Sequence, residues 1–238
     1  EDSQQELFHR YVLGMYAMQE RLVQEFPDLL LENCSGGGAR FDPGMLYYSP
    51  QIWCSDDTDA IERLEIQEGT ALIYPLCAMG AHVSVCPNHT VGRVTPFTTR
   101  GHVALAGTFG YELDITKLPE EERKLIPEQT AMYHKYHELI RDGEYYRILS
   151  YRENHRSDCW AVASEDKNEV LVTYVQVLAQ VNMPSRKVRL RGFDPAKKYR
   201  LEGTDEVYSG EMLMNAGFRM KDFRGDFVSR LYHFIAVD

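Results

Sequence analysis

The chain has 238 residues, 44% of them hydrophobic and 26% charged, and a net charge of −10. That is the make-up of an ordinary soluble globular protein with room for one large domain or somewhat more. The acidic balance argues against nucleic acid or an anionic membrane as the main partner, and no apolar run approaches the ~20 residues that span a bilayer.

The opening segment EDSQQELFHR is acidic and polar and does not read as a signal peptide. The five cysteines, Cys34, Cys54, Cys77, Cys86 and Cys159, are odd in number, irregularly spaced and form no CxxC pair. Reduced thiols in a cytoplasmic protein are therefore expected, without a disulfide framework or a structural zinc site. Asn33-Cys34-Ser35 and Asn88-His89-Thr90 have the form of glycosylation sequons but fall at predicted strand ends, where a glycan would block a pocket; they read as chance matches.

Leu7, Tyr11, Met15, Met18, Leu22 and Phe26 recur in steps of three and four, predicting a helix over 4–26 that Pro27 ends. Leu29-Leu30-Leu31 begins a first short strand, which runs into Glu32-Asn33-Cys34 and the turn Gly36-Gly37-Gly38. After an aperiodic connection with room for one helical turn, Ile52-Trp53 forms a second strand. It ends in Ser55-Asp56-Asp57 and leads into a helix over 60–68, for which Asp59 and Glu62 have capping-box spacing. Ala81–Cys86 is a third strand candidate, 99–106 a helix and 107–114 a fourth strand region. Pro119 opens a charged helix, Pro127 restarts it, and Gly143 caps it after Asp142.

From Tyr145 onward the pattern changes to short β-rich runs over 159–163, 170–178, 187–191, 198–201 and 227–237, separated by turn residues, which predicts an antiparallel module. The division is placed at 1–145 and 146–238. The first part is α/β with about four strands, half of what a closed (β/α)8 barrel requires.

Short apolar strands flanked by helices belong to buried parallel sheets, and in a barrel the residues past their carboxyl ends converge on one face. Asp56 is the leading proton-donor candidate. Such a donor needs like charges or partial burial around it, and Asp57 and Asp59 are close by, although all three could simply cap the next helix. Trp53 could form a sugar-binding wall or sit in the core. The glycines allow close backbone approach to a ligand but fit neither a P-loop nor a dinucleotide fingerprint. Arg40 could donate to hydroxyls or pair with an acid such as Asp42. His134 and His137 stand three apart on a helix without a third metal ligand, and His82 and His89 flank the third strand as pocket-lining or core residues. No GxSxG is present to support serine hydrolase chemistry.

Glu32-Asn33-Cys34-Ser35-Gly36-Gly37-Gly38-Ala39-Arg40-Phe41-Asp42, together with Trp53-Cys54-Ser55-Asp56-Asp57-Thr58-Asp59-Ala60, closely resembles the α-galactosidases of glycoside hydrolase family 36. The run from Gly210 to Gly217 and on through Gly225-Asp226-Phe227 resembles that family's C-terminal module. The resemblance implies a retaining glycosidase acting on terminal α-galactosyl residues of melibiose- or raffinose-type sugars, on a (β/α)8 barrel followed by an antiparallel β-domain. It uses two carboxylates about 5 Å apart.

By this resemblance Asp56 is the acid/base, Cys34 and Gly37 contact the galactose hydroxyls, Trp53 forms a wall of the site, and Arg40 is a motif residue near the sugar. No metal or organic cofactor is implied. The family nucleophile lies in a Lys-Trp-Asp motif on an earlier strand, and these residues contain none. The resemblance therefore implies that this chain needs the N-terminal half of the enzyme and is inactive alone, with a homo-oligomer as the complete form. Galactosyl transfer, N-acetylgalactosamine hydrolysis and a non-catalytic sugar-binding or assembly role stand as the alternatives.

Overall fold

In the computed structural model, residues 3–34, 36, 41–182 and 186–237 are described. The first half alternates helices and short parallel strands: α1 Gln4–Glu25, β1 Glu32–Asn33, α2 Met45–Tyr48, β2 Gln51–Ile52, α3 Glu62–Ala71, β3 Gly80–Ser84, α4 Phe97–Ala104 and β4 Thr108–Glu112. The helices α5 Glu120–Arg123 and α6 Ile126–Asp142 complete it. β1 pairs in parallel with β2, β3 with β4, and a parallel bridge between Ile52 and Met79 links the two pairs. The described order is thus four successive parallel strands.

The second half is built on a six-stranded antiparallel sheet of order β10-β9-β12-β7-β6-β5. Its strands are β5 Glu144–Leu149, β6 Ser157–Ala163, β7 Glu169–Gln176, β9 Lys198–Leu201, β10 Val207–Ser209 and β12 Val228–Val237. A short helix α7 Tyr151–Asn154 follows β5, and β8 Lys187–Val188, α8 Gly210–Asn215 and β11 Phe218–Arg219 cover the far face.

The central strands β6 and β7 form a middle layer, buried on both sides. Along β6, Trp160 and Val162 pack against Ile61, Leu64 and Met79 of the first half and against Leu139 and Ile140 of α6. The alternate residues Cys159, Ala161 and Ala163 pack under Val188, Leu190, Leu213 and Phe218. Pleating sends successive side chains to opposite faces, so a strand covered on both faces is apolar throughout.

Four expectations need correction. The first strand begins at Glu32, not Leu29, and Leu30 is 89% exposed. A single two-residue ladder to β2 is its only pairing among the described residues, too little to extend it through the leucines. Of the face predicted for α1, Leu7, Met18 and Phe26 are exposed, and the one buried residue of the helix is Gln19. The first half meets α1 through the Tyr16 ring against Tyr48 and through polar contacts: Tyr16 donates to Asp42 at 2.6 Å and the Gln19 amide to Asn33 at 3.4 Å. Finally, the 60–68 helix runs over 62–71, and the 187–191 run is regular only at 187–188.

Candidate active site

Contacts on β2, β3 and β4 show which side chains share the face turned away from the helices. A Cβ on Gly80 would meet the Trp53 ring at 3.3 Å, and one on Gly110 would meet the His82 ring at 3.0 Å. Trp53, His82 and Glu112 therefore project from one face, while Ala81 and Val83 turn to the buried side. The His82 imidazole stacks on the Trp53 indole with centroids 4.5 Å apart and planes 18° apart. Burial draws the His82 pKa below its ordinary value, against the opposing pull of Glu112. His82 Nδ1 is 3.8 Å from the Glu112 carboxylate, beyond hydrogen-bond reach, and has no partner among the described residues.

Between β2 and α3, the loop 54–59 folds on its own side chains. Ser55 Oγ accepts from Asp57 N–H at 3.1 Å, and Asp57 Oδ1 accepts from Asp59 N–H at 3.0 Å. Asp59 Oδ2 accepts from the N–H groups of Ile61 and Glu62 at 3.2 and 3.0 Å, and Asp59 also pairs with Arg93. Asp59 thus caps α3, as expected. Glu62 does not reach back to complete a capping box, because Arg93 holds it at 3.3 Å. Asn88 adds a tie from the far side, donating to Thr58 Oγ1 at 3.2 Å. Of the three loop acids, Asp56 alone makes no hydrogen bond or ion pair among the described residues, and it is exposed rather than partly buried.

Cys34 directly follows β1 and is exposed. Because β1 and β2 are parallel and in register, Cys34 and Asp56 both lie past the carboxyl ends of neighbouring strands. Trp53 is 6% exposed, with His82 stacked on it and the Arg63 guanidinium 4.0 Å over its ring. The indole here is a supported element under the rim rather than an open wall. Gly37 and Arg40 lie outside the described residues. The acid named as a partner for Arg40, Asp42, is engaged by Tyr16 and by Met45 N–H.

Asn88 is 5% exposed and its side chain is spent on Thr58, Thr90 and Val91, consistent with a chance sequon. His134 and His137 have ring centroids 6.4 Å apart, and His137 Nδ1 is 2.9 Å from the His134 carbonyl. Among the described residues no group of three His, Cys, Asp or Glu side chains is arranged to hold a metal. Among those same residues, no helix is long and apolar enough to cross a membrane.

Arg63 and Glu112 were not singled out as site residues, and His82 was read only as pocket-lining or core. The alternation Gly80-x-His82-x-Ser84 against Ala81 and Val83 was the available signal, since it puts the polar residues of a parallel strand on the face away from the helices.

Residues 1–143 match the family described as Melibiase, and residues 157–234 match the Glycosyl hydrolase family 36 C-terminal domain. The α-galactosidase AgaA of Geobacillus stearothermophilus is 50% identical over 99% of this chain, which corresponds to 32% of the relative. An α-galactosidase of Lactobacillus acidophilus is 48% identical over 100% of this chain and 32% of its own length. The chain thus spans about a third of the length of these relatives. Among solved structures, the α-galactosidase from Lactobacillus brevis superposes with a TM-score of 0.93 at 41% identity, covering 100% of this chain and 33% of that one. A variant of AgaA in complex with raffinose superposes with a TM-score of 0.92 at 49% identity, over 96% of this chain and 32% of that one.

Proposed function

Because the chain belongs to the melibiase family of glycoside hydrolases, family 36, we propose that it forms the acid/base half of a retaining α-galactosidase. In this reading residues 1–145 are half of a (β/α)8 barrel and 146–238 its C-terminal β-domain. The bare apolar residues Leu7, Phe8 and Met18 of α1 support further polypeptide packing there in the whole protein. The substrate class is a terminal α-galactoside of the raffinose type, the kind of sugar bound by the AgaA variant.

The observation that carries the proposal is the placement of Cys34 and Asp56 past the carboxyl ends of two adjacent, in-register parallel strands, the edge where barrel enzymes assemble their chemistry. Asp56 is the one acid of its loop left unengaged, as a group that must gain and lose a proton requires. It protonates the leaving oxygen while an aspartate outside these residues attacks the anomeric carbon. It then takes a proton from the water that hydrolyses the covalent intermediate. By the family resemblance Cys34 and Gly37 are assigned contacts to the ring hydroxyls and Arg40 is a further motif residue, while Trp53 backs the sugar subsite. The chain by itself has no nucleophile for this sequence and is expected to be inactive.

The test is Asp56→Asn in the full-length protein. An activated aryl α-galactoside needs little protonation of its leaving group and should retain far more turnover than raffinose, whose loss should reach about a hundredfold or more. Equal losses on both substrates would remove Asp56 from the acid/base role.

A further inference from the structure

Arg63 is 2% exposed, and no carboxylate lies within ion-pair distance of it among the described residues. An unpaired buried charge is costly, so its surroundings bear on what it does. One face of the guanidinium region meets the Trp53 ring at 4.0 Å. Nη1 donates to Cys54 Sγ at 3.3 Å and to the Ser55 carbonyl at 3.5 Å, and Nη2 donates to the Gly80 carbonyl at 3.4 Å. The group therefore touches the three residues immediately before Asp56 and ties them to β3. The other end of the loop is held separately, by Asp59 with Arg93 and by Thr58 with Asn88.

We propose that Arg63 is a positioning residue, which fixes the Trp53 indole and the 54–55 backbone together and so sets where the Asp56 carboxyl stands relative to the glycosidic oxygen. This rests on the α-galactosidase reading given above. A planar guanidinium suits the task because it can lie over an indole while donating in its own plane, and its acceptors here are neutral, so the charge remains available to the site. A displacement of about 1 Å at a proton donor costs on the order of a hundredfold in rate, whereas binding of the sugar ring is less sensitive.

The test uses the full-length protein with Arg63→Met and Arg63→Lys. The first keeps an extended buried side chain without charge or donors; the second keeps a charge that can reach Ser55 but cannot lie flat on the indole. For Arg63→Met, kcat on raffinose should fall about a hundredfold, with KM little changed and a much smaller loss on an activated aryl α-galactoside. Arg63→Lys should recover part of that loss. Thermal melting of both variants is measured alongside.

Equal losses on the two substrates, no loss at all, or failure of both variants to fold would assign Arg63 to the fold alone and overturn the proposal. Asp56→Asn, run in parallel, separates the two readings. If it shows the leaving-group split and Arg63→Met does not, only the role of Arg63 falls. A full-length protein that hydrolyses neither substrate refutes the reading of the site, and the role of Arg63 with it.

Discussion

The backbone N–H of Trp53 donates to the carbonyl of Asn33 at 2.9 Å, closing the parallel ladder at the last paired residues of β1 and β2, Asn33 and Ile52. This single bond brings the start of the Cys34 loop level with the start of the Asp56 loop. The two segments are otherwise short and irregular, and their relative height along the sheet follows from this register.

The loop that carries Asp56 should owe its shape to Asp59. Replacing Asp59 with alanine removes the acceptor for two helix N–H groups and leaves the partly buried Arg93 with Glu62 as its one remaining carboxylate partner among the described residues, at a cost of about 3 kcal/mol. Asp59→Asn keeps an acceptor oxygen and should recover about 1 kcal/mol of it. Urea unfolding midpoints of the two variants check this. An asparagine variant no more stable than the alanine one would mean that the charge pair with Arg93, and not the cap, holds the loop.

Much of this framework was legible in the sequence because it rests on local rules. Pro127 and Gly143 bracket α6, whose Gly143 N–H closes on the Leu139 carbonyl at 2.8 Å, and the run at 198–201 is a strand as read. Asp59 was separable from Asp56 by the same logic, since a helix-capping carboxylate sits at a fixed offset from the first turn, whereas Asp57 accepts from the Asp59 N–H within the loop instead of from the helix. Where the reading missed, the cause was tertiary. β1 is short because its pairing is limited, β10 and β11 are three and two residues long, and α1 leaves Leu7, Met18 and Phe26 of its apolar face exposed. Arg63 and His82 come from different elements, so no spacing in the chain announces that they meet on the Trp53 ring, with Glu112 beyond His82.

Two titratable groups, the half-buried His102 and the buried Asp158, make opposing contributions to stability over one pH window. Burial lowers the His102 pKa from 6.5 to about 4, and its Nδ1 lies 2.8 Å from Ser229 Oγ. Burial raises the Asp158 pKa from 3.8 to about 7, while its Oδ2 accepts from Tyr151 N–H at 2.8 Å. Between about pH 4 and 6.5 the unfolded chain carries the proton on the histidine and the folded chain carries it on the aspartate, so these two contributions to the pH slope nearly cancel. Asp158→Asn should unmask the histidine: relative to the parent, stability should rise with pH through this window by up to about 1.4 kcal/mol per unit. His102→Gln should do the reverse, with stability falling relative to the parent as pH rises toward 7. Denaturant unfolding at a series of pH values reads both slopes, and parallel curves for parent and variants would mean that neither group titrates as described.

The most direct measurement is a crystal structure of the full-length Asp56→Asn protein soaked with raffinose. The expected result has the side chain at position 56 within about 3 Å of the glycosidic oxygen, and the galactose ring against the loop that begins at Cys34. A galactose seated away from the carboxyl ends of β1 and β2, with position 56 turned into solvent, would contradict the central claim.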